Sequence, residues 1–197
     1  MRNPPLRARD IEEVLDAVGD LLDADGHRVS IVIIGGAALL LLGVIERATR
    51  DVDIVAVADP AGDFLSLVRP PQPLDASLSA AIAQVARDFG LPDNWMNRGP
   101  ANQWDIGLPN GFAERVQWRR YRGLDVGIAD RIDLICLKLE AAADQPSDDS
   151  RHFRDLLALK CTDDELEVAT RWARTKNVGA EYHLILDRVL AHVRNLR

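Results

Sequence analysis

Residues 31–38 read Ile31-Val32-Ile33-Ile34-Gly35-Gly36-Ala37-Ala38, and a short way downstream comes Asp51-Val52-Asp53-Ile54-Val55. The β-branched run from Ser30 to Ile34 predicts a buried strand that feeds straight into a diglycine and then an apolar helix, Ala37 to about Gly43. Val52 to Val57 is a second strand, stopped by Asp59-Pro60. Strand, glycine turn, helix and strand in such short order predict an α+β core on a small mixed sheet.

Working outward, residues 10–25 carry Ile11, Val14, Leu15, Val18, Leu21 and Leu22 at helical spacing. Asp10 with Glu13 reads as the capping box of that helix, and Gly26 as its end. Downstream, Arg69-Pro70-Pro71-Gln72-Pro73 is a rigid connector, and Asp75 to Phe89 is a helix followed by Gly90. Residues 91–103 read as loop, then strands are expected around Trp104–Gly107, Arg115–Tyr121 and Leu124–Ile128. Asp130 with Asp133 caps an apolar helix running to Ala143. The polar break Gln145-Pro146-Ser147-Asp148-Asp149-Ser150 is the expected boundary. It divides a core of residues 1–145 from a C-terminal helical part, 146–197, packed on the core. The latter comprises segments near 151–160, 163–174 and 181–195, the middle one opened by the capping box Thr162-Asp163-Asp164-Glu165.

Composition removes several classes of function. The 197 residues are 47% hydrophobic and 28% charged, which excludes disorder for most of the chain and makes a metal or disulfide staple unnecessary. A net charge of −7 argues against coating nucleic acid by charge alone. The two cysteines, Cys136 and Cys161, lack metal-ligand spacing and read as reduced thiols. Histidines 27, 152, 183 and 192 show no zinc pattern, and the GxSxG, GxxxxGK[ST] and GxGxxG motifs are absent. The start does not read as a signal peptide, and the apolar run Ile31 to Ile45 is too short to span a bilayer, so a cytoplasmic location without membrane contact is expected.

The chemistry centres on the quoted stretch. Residues i and i+2 of a strand face the same way, which sets Asp51 beside Asp53. Two like charges at that spacing repel, and a hard divalent cation relieves the repulsion. The plainer reading is a strand end with two solvated aspartates. A diglycine between strand and helix bares backbone N–H groups suited to phosphate, while its plainer reading is a tight turn that needs positive φ. Together the two elements suit phosphoryl or nucleotidyl transfer. The run Arg115-Val116-Gln117-Trp118-Arg119-Arg120-Tyr121-Arg122 mixes cations and aromatics, which suits either RNA contact or a solubilising edge strand.

Gly35-Gly36 followed by Arg47-Ala48-Thr49-Arg50-Asp51-Val52-Asp53 resembles the signature of the nucleotidyltransferase superfamily, the polymerase β-like fold. More closely it resembles the AbiEii/AbiGii-type toxin nucleotidyltransferases and their minimal relatives. The likeness continues through Asp133-Leu134-Ile135-Cys136-Leu137-Lys138 and Arg151-His152-Phe153-Arg154-Asp155 and covers about residues 30–157. It implies a metal-dependent enzyme that moves a nucleotide from an NTP to an RNA, tRNA by analogy, or to a protein. It also implies a place in a toxin–antitoxin pair with a cognate partner protein. Asp51 and Asp53 would bind Mg²⁺ or Mn²⁺, while Gly35, Gly36, Arg47, Thr49 and Lys138 would serve nucleotide binding. Lys138 and Asp155 would join the two aspartates as catalytic residues. Read from its own surroundings, Lys138 in an apolar helix either snorkels to water or points at an anion.

Nucleotidyltransferases of this fold carry a third carboxylate on a later strand as general base. Here the candidate strand reads Glu114-Arg115-Val116-Gln117, with glutamine where the acid is expected. Asp105, Glu114, Asp125 and, from the helical side, Asp155 are the stand-ins. That departure supports the alternative, a non-catalytic nucleotidyltransferase-like binding module or antitoxin partner.

Overall fold

An unbroken apolar strand needs cover on both faces, and β1 (Val29–Ile34) has it, with every residue from Ser30 to Ile34 buried. In the computed structural model, which describes residues 5–58, 70–71, 73–147 and 150–196, β1 is the middle strand of a five-stranded sheet. The expected stop at Asp59-Pro60 and the connector residues Arg69 and Gln72 lie outside the described residues, as do Asp148 and Asp149 of the polar break.

Helix α1 (Ala8–Ala24) precedes β1 and turns its buried stripe of Ile11, Val14, Leu15, Val18 and Leu22 into the first unit's core. The backbone N–H of Arg7 donates to the Asp10 carboxylate at 2.8 Å, so Asp10 is the third helical residue reaching back, and the expected box of Asp10 with Glu13 is corrected by one turn. The short α2 (Gly35–Leu41) follows β1, then β2 (Val52–Ala58), which returns antiparallel to it with Ile34 opposite Asp53. Next comes α3 (Ala76–Phe89), capped by the Asp75 carboxylate on the N–H of Ser77 and closed by Gly90 in the left-handed region.

A two-residue strand, β3 (Met96–Asn97), sits inside the expected loop and pairs parallel with β2. The expected strand near Trp104 is a correction. Pro100 opens a 3₁₀ turn, Gly99–Asn102, which runs on into the helical turn α4 (Gln103–Ile106), and no strand pairs with it among the described residues. After another short turn, α5 (Phe112–Arg115), come β4 (Gln117–Tyr121) and β5 (Leu124–Ile128), antiparallel to each other, with β5 parallel to β1. The order across the sheet is β3-β2-β1-β5-β4.

The remaining helices are α6 (Arg131–Asp144), α7 (Arg151–Leu159), α8 (Asp163–Lys176) and α9 (Ala180–Leu196). Two compact units result, Met1–Ile106 with Gly111–Ala129, and Gly107–Asn110 with Asp130–Arg197. Helix α6 groups with the C-terminal helices, so the division falls ahead of it, one helix before the expected boundary at 145. Within that second unit α6 packs against α7, α8 and α9. The box of Thr162 and Glu165 forms as read: Thr162 N–H donates to the Glu165 carboxylate at 2.8 Å and Glu165 N–H to Thr162 Oγ1 at 3.2 Å. Both cysteines are buried and neither forms a disulfide, and no described helix is long and apolar enough to cross a membrane.

Candidate active site

Strand β2 alternates at its start: Val52 and Ile54 are fully buried, while Asp51, just ahead of the strand, and Asp53 are half-buried. That alternation follows from strand geometry and leaves both carboxylates accessible. Asp53 stands opposite Ile34, the last residue of β1, which brings it to the diglycine. Gly35 has φ 77°, and a β-carbon there would lie 2.5 Å from Asp53 Oδ2. A β-carbon on Gly36 would lie 2.7 Å from Thr49 Oγ1 and 3.2 Å from Thr49 Cβ, with an Arg47 guanidinium nitrogen at 4.0 Å. The glycines therefore do two things: Gly35 supplies the left-handed turn and admits Asp53 of β2, and Gly36 admits Thr49 from the segment before β2.

Thr49 is buried, and its backbone forms a two-hydrogen-bond bridge with Leu6, Leu6 N–H to Thr49 O at 2.7 Å and Thr49 N–H to Leu6 O at 2.8 Å. Its hydroxyl lies 3.3 Å from both the carbonyl oxygen and Oδ1 of Asp51 and donates toward them. Gly35, Gly36, Arg47, Thr49, Asp51 and Asp53 are thus gathered in one place by β1, β2 and the segment before β2.

Sequence reasoning did not pick out Asn97. It pairs in register with Asp53, and its side-chain amide donates to Asp53 Oδ1 at 3.3 Å. The fully buried Trp95 anchors the approach to β3, its indole N–H donating to the carbonyl of Ile82 at 3.1 Å and its own carbonyl accepting from Val52 N–H at 2.6 Å. A two-residue strand is too short to show a period, so only the apolar pair Trp95-Met96 ahead of Asn97 hinted at it.

The strand expected to supply a third carboxylate is elsewhere. Gln117 begins β4, which pairs with β5 at the opposite edge, with β5 and β1 between it and β2. Among the stand-ins, Asp125 is buried on β5 between Arg28 at 3.2 Å and Arg120 at 2.8 Å, an arrangement that serves the fold. Asp105 lies in α4 and Glu114 in α5. The arginines near β4 are likewise engaged: Arg119 with Glu12 at 2.7 Å, Arg120 with Asp125, and Arg122 with Asp20 at 2.5 Å. This pattern fits the edge-strand reading better than an RNA surface. Tyr121 donates to the Glu12 carboxylate, and burial together with that neighbour holds its phenol well above the usual range.

Lys138 and Asp155 belong to the second unit, on α6 and α7. Both are buried, and Lys138 Nζ lies 2.7 Å from Asp155 Oδ2. The anion required by a buried lysine is thus Asp155. A cavity of about 650 Å³ in the same unit, lined in part by Phe153, Arg188 and His192, includes neither residue.

The model of a family described as "Nucleotidyltransferase of unknown function (DUF6036)" matches residues 11–157, about three quarters of the chain, from α1 into α7. No curated protein and no solved structure matches.

Proposed function

This chain belongs to the nucleotidyltransferase family DUF6036, and from that premise we propose that it moves a nucleotide from an NTP to an RNA or protein acceptor with the help of Mg²⁺ or Mn²⁺. The observation that carries the reading is the meeting of Asp53 with the diglycine turn, where a β-carbon on Gly35 would lie 2.5 Å from Asp53 Oδ2. It sets a carboxylate against a stretch of side-chain-free backbone, the two things a metal-bound triphosphate needs close together.

The donor set fits a hard divalent cation. Asp51 and Asp53 offer carboxylate oxygens, and among the described residues no group of three or more His, Cys, Asp or Glu is arranged to hold a metal. Two carboxylates suit an ion that completes its shell with water and substrate phosphate, as Mg²⁺ does. When bound, the ion would supply positive charge to the phosphates undergoing transfer. Thr49 steadies the Asp51 carboxylate from a buried position. Gly35 and Gly36 offer backbone N–H groups to the triphosphate, and Arg47 adds positive charge beside them. Lys138 is assigned to phosphate neutralisation and Asp155 to completing the catalytic set. Because these two are paired with each other, each must be tested together with its partner.

The likeness of Arg47-Ala48-Thr49-Arg50-Asp51-Val52-Asp53 to the AbiEii-type toxins points to tRNA as the first acceptor to try, and to a toxin–antitoxin pair with a cognate protein. The test is incubation of the protein with each labelled NTP, Mg²⁺ or Mn²⁺, and total RNA or co-expressed protein, followed by gel analysis. The expected result is labelled acceptor with the wild type and none with Asp53→Ala of unchanged fold. No label from any NTP with either ion overturns the reading in favour of a binding module.

A further inference from the structure

The side-chain amide of Asn97 is fixed from both ends. Its Oδ1 accepts from the backbone N–H of Gly99 at 2.6 Å, which determines which end of the amide is oxygen. The NH₂ end therefore faces Asp53 and donates to Oδ1 at 3.3 Å. Strand pairing reinforces this, because β3 sets Asn97 in register beside Asp53. Asp53 is thus addressed on both oxygens by its own unit: Oδ1 by the Asn97 amide and Oδ2 by the open face of Gly35. A carboxylate at position 97 would stack a third negative charge onto Asp51 and Asp53, whereas the amide adds none.

We propose that Asn97 is the positioning residue for Asp53, and that by standing as a neutral donor in the third place of the cluster it limits the site to two carboxylates and one divalent cation. The inference rests on the metal-binding role assigned above to Asp51 and Asp53. Its chemistry is general. A fixed donor on one carboxylate oxygen holds the rotamer and directs the other oxygen, as supporting hydrogen bonds do around metal ligands. Paired ions a few ångströms apart call for additional anionic ligands to offset their mutual repulsion, and an amide at this position supplies none.

Asn97→Asp is the discriminating variant. It keeps the oxygen that accepts from Gly99 N–H and replaces only the donor that faces Asp53, so a role confined to the Gly99 turn leaves it indistinguishable from the wild type. The primary readout is Mn²⁺ binding to the full chain without nucleotide, followed by the paramagnetic resonance of free Mn²⁺. The wild type is expected to bind one Mn²⁺ per chain, and Asn97→Asp to bind Mn²⁺ at least tenfold more tightly. Metal-free Asn97→Asp melts below the wild type, and Mn²⁺ raises its melting temperature by more than it raises that of the wild type. Asn97→Ala, which removes the amide donor from Asp53, binds Mn²⁺ several-fold more weakly. In the transfer assay kcat falls in both variants while the KM for acceptor stays put. Wild-type binding of two Mn²⁺, no binding at millimolar Mn²⁺, or Asn97→Asp matching the wild type in affinity and metal-free melting overturns the proposal. A wild type that transfers no label ends the enzymatic reading above, yet the Mn²⁺ titrations and melting curves still decide the role of Asn97.

Discussion

A β-carbon on Gly35 would lie 2.5 Å from Asp53 Oδ2, closer than non-bonded atoms of this kind approach, and the φ of Gly35 is 77°. Gly35→Ala therefore incurs both a left-handed backbone cost, about 1–2 kcal/mol, and the displacement of Asp53. Gly43 separates the two. It too has positive φ, 68°, but nothing lies within 4 Å of a β-carbon there. Chemical denaturation should show Gly43→Ala losing only the backbone amount and Gly35→Ala losing more. In the transfer assay Gly43→Ala stays near wild type while Gly35→Ala falls at least tenfold. Equal losses in both assays would mean that Asp53 moves aside freely.

Thr49→Val tests the support of the other carboxylate. Valine keeps the branched shape of a buried side chain and removes the hydroxyl that donates to Asp51. Both hydrogen bonds are long, at 3.3 Å. The expected cost is therefore small, about 1 kcal/mol. Melting curves should show this modest loss together with weaker Mn²⁺ binding, because the Asp51 carboxylate is freed to rotate. A variant that binds Mn²⁺ like the wild type removes Thr49 from the site and leaves it as the anchor of the Leu6 bridge.

The β1–diglycine–β2 frame was legible because each piece carries a strong local signal: an apolar β-branched run, two glycines, and alternating Asp-Val-Asp. Helices α1, α3, α6, α7, α8 and α9 were legible from periodicity and capping residues, with ends within a few residues of those expected. The two-residue β3 carried no period of its own. It exists because β2 offers an edge to pair with and buried Trp95 brings the chain to it, a tertiary cause that no window of sequence contains. Strand order was hidden for the same reason. The position expected to hold a third carboxylate, Gln117, consequently lies on β4 with two strands between it and β2, whereas Asn97 stands beside Asp53. The Lys138–Asp155 contact joins two helices through residues 17 positions apart, so the apolar setting of the lysine was legible but the identity of its anion was not.

That buried pair makes a sharp prediction. Lys138→Met takes the cation away from the buried Asp155 carboxylate, and removal of one member of such a pair costs about 3–5 kcal/mol. The double variant Lys138→Met/Asp155→Leu removes both charges and should regain most of that loss, as seen in denaturation midpoints. The folded double variant then isolates function. If the pair takes part in transfer, it is stable and inactive. Full activity would confine Lys138 and Asp155 to holding α6 against α7.

Acid stability gives a test within the helical unit that is independent of catalysis. Arg131 Nε lies 2.7 Å from Glu165 Oε1, and Thr162 N–H donates to the same carboxylate at 2.8 Å. The hydrogen bond from Arg131, then those from Thr162, hold the Glu165 carboxyl below its ordinary value of 4.5. A carboxyl with a depressed folded-state pKa binds fewer protons when folded than when unfolded. Its contribution is complete above the unfolded value and disappears as pH falls through the folded one. Glu165→Gln should thus cost about 1 kcal/mol at neutral pH, kept small by the partial exposure of the pair. Denaturation followed from pH 7 down to about pH 3 should show the wild type losing stability faster than the variant once pH drops below the ordinary glutamate value, until the two curves meet. Parallel curves across that range would show that Arg131 and Thr162 give the charged carboxylate no advantage over the neutral amide.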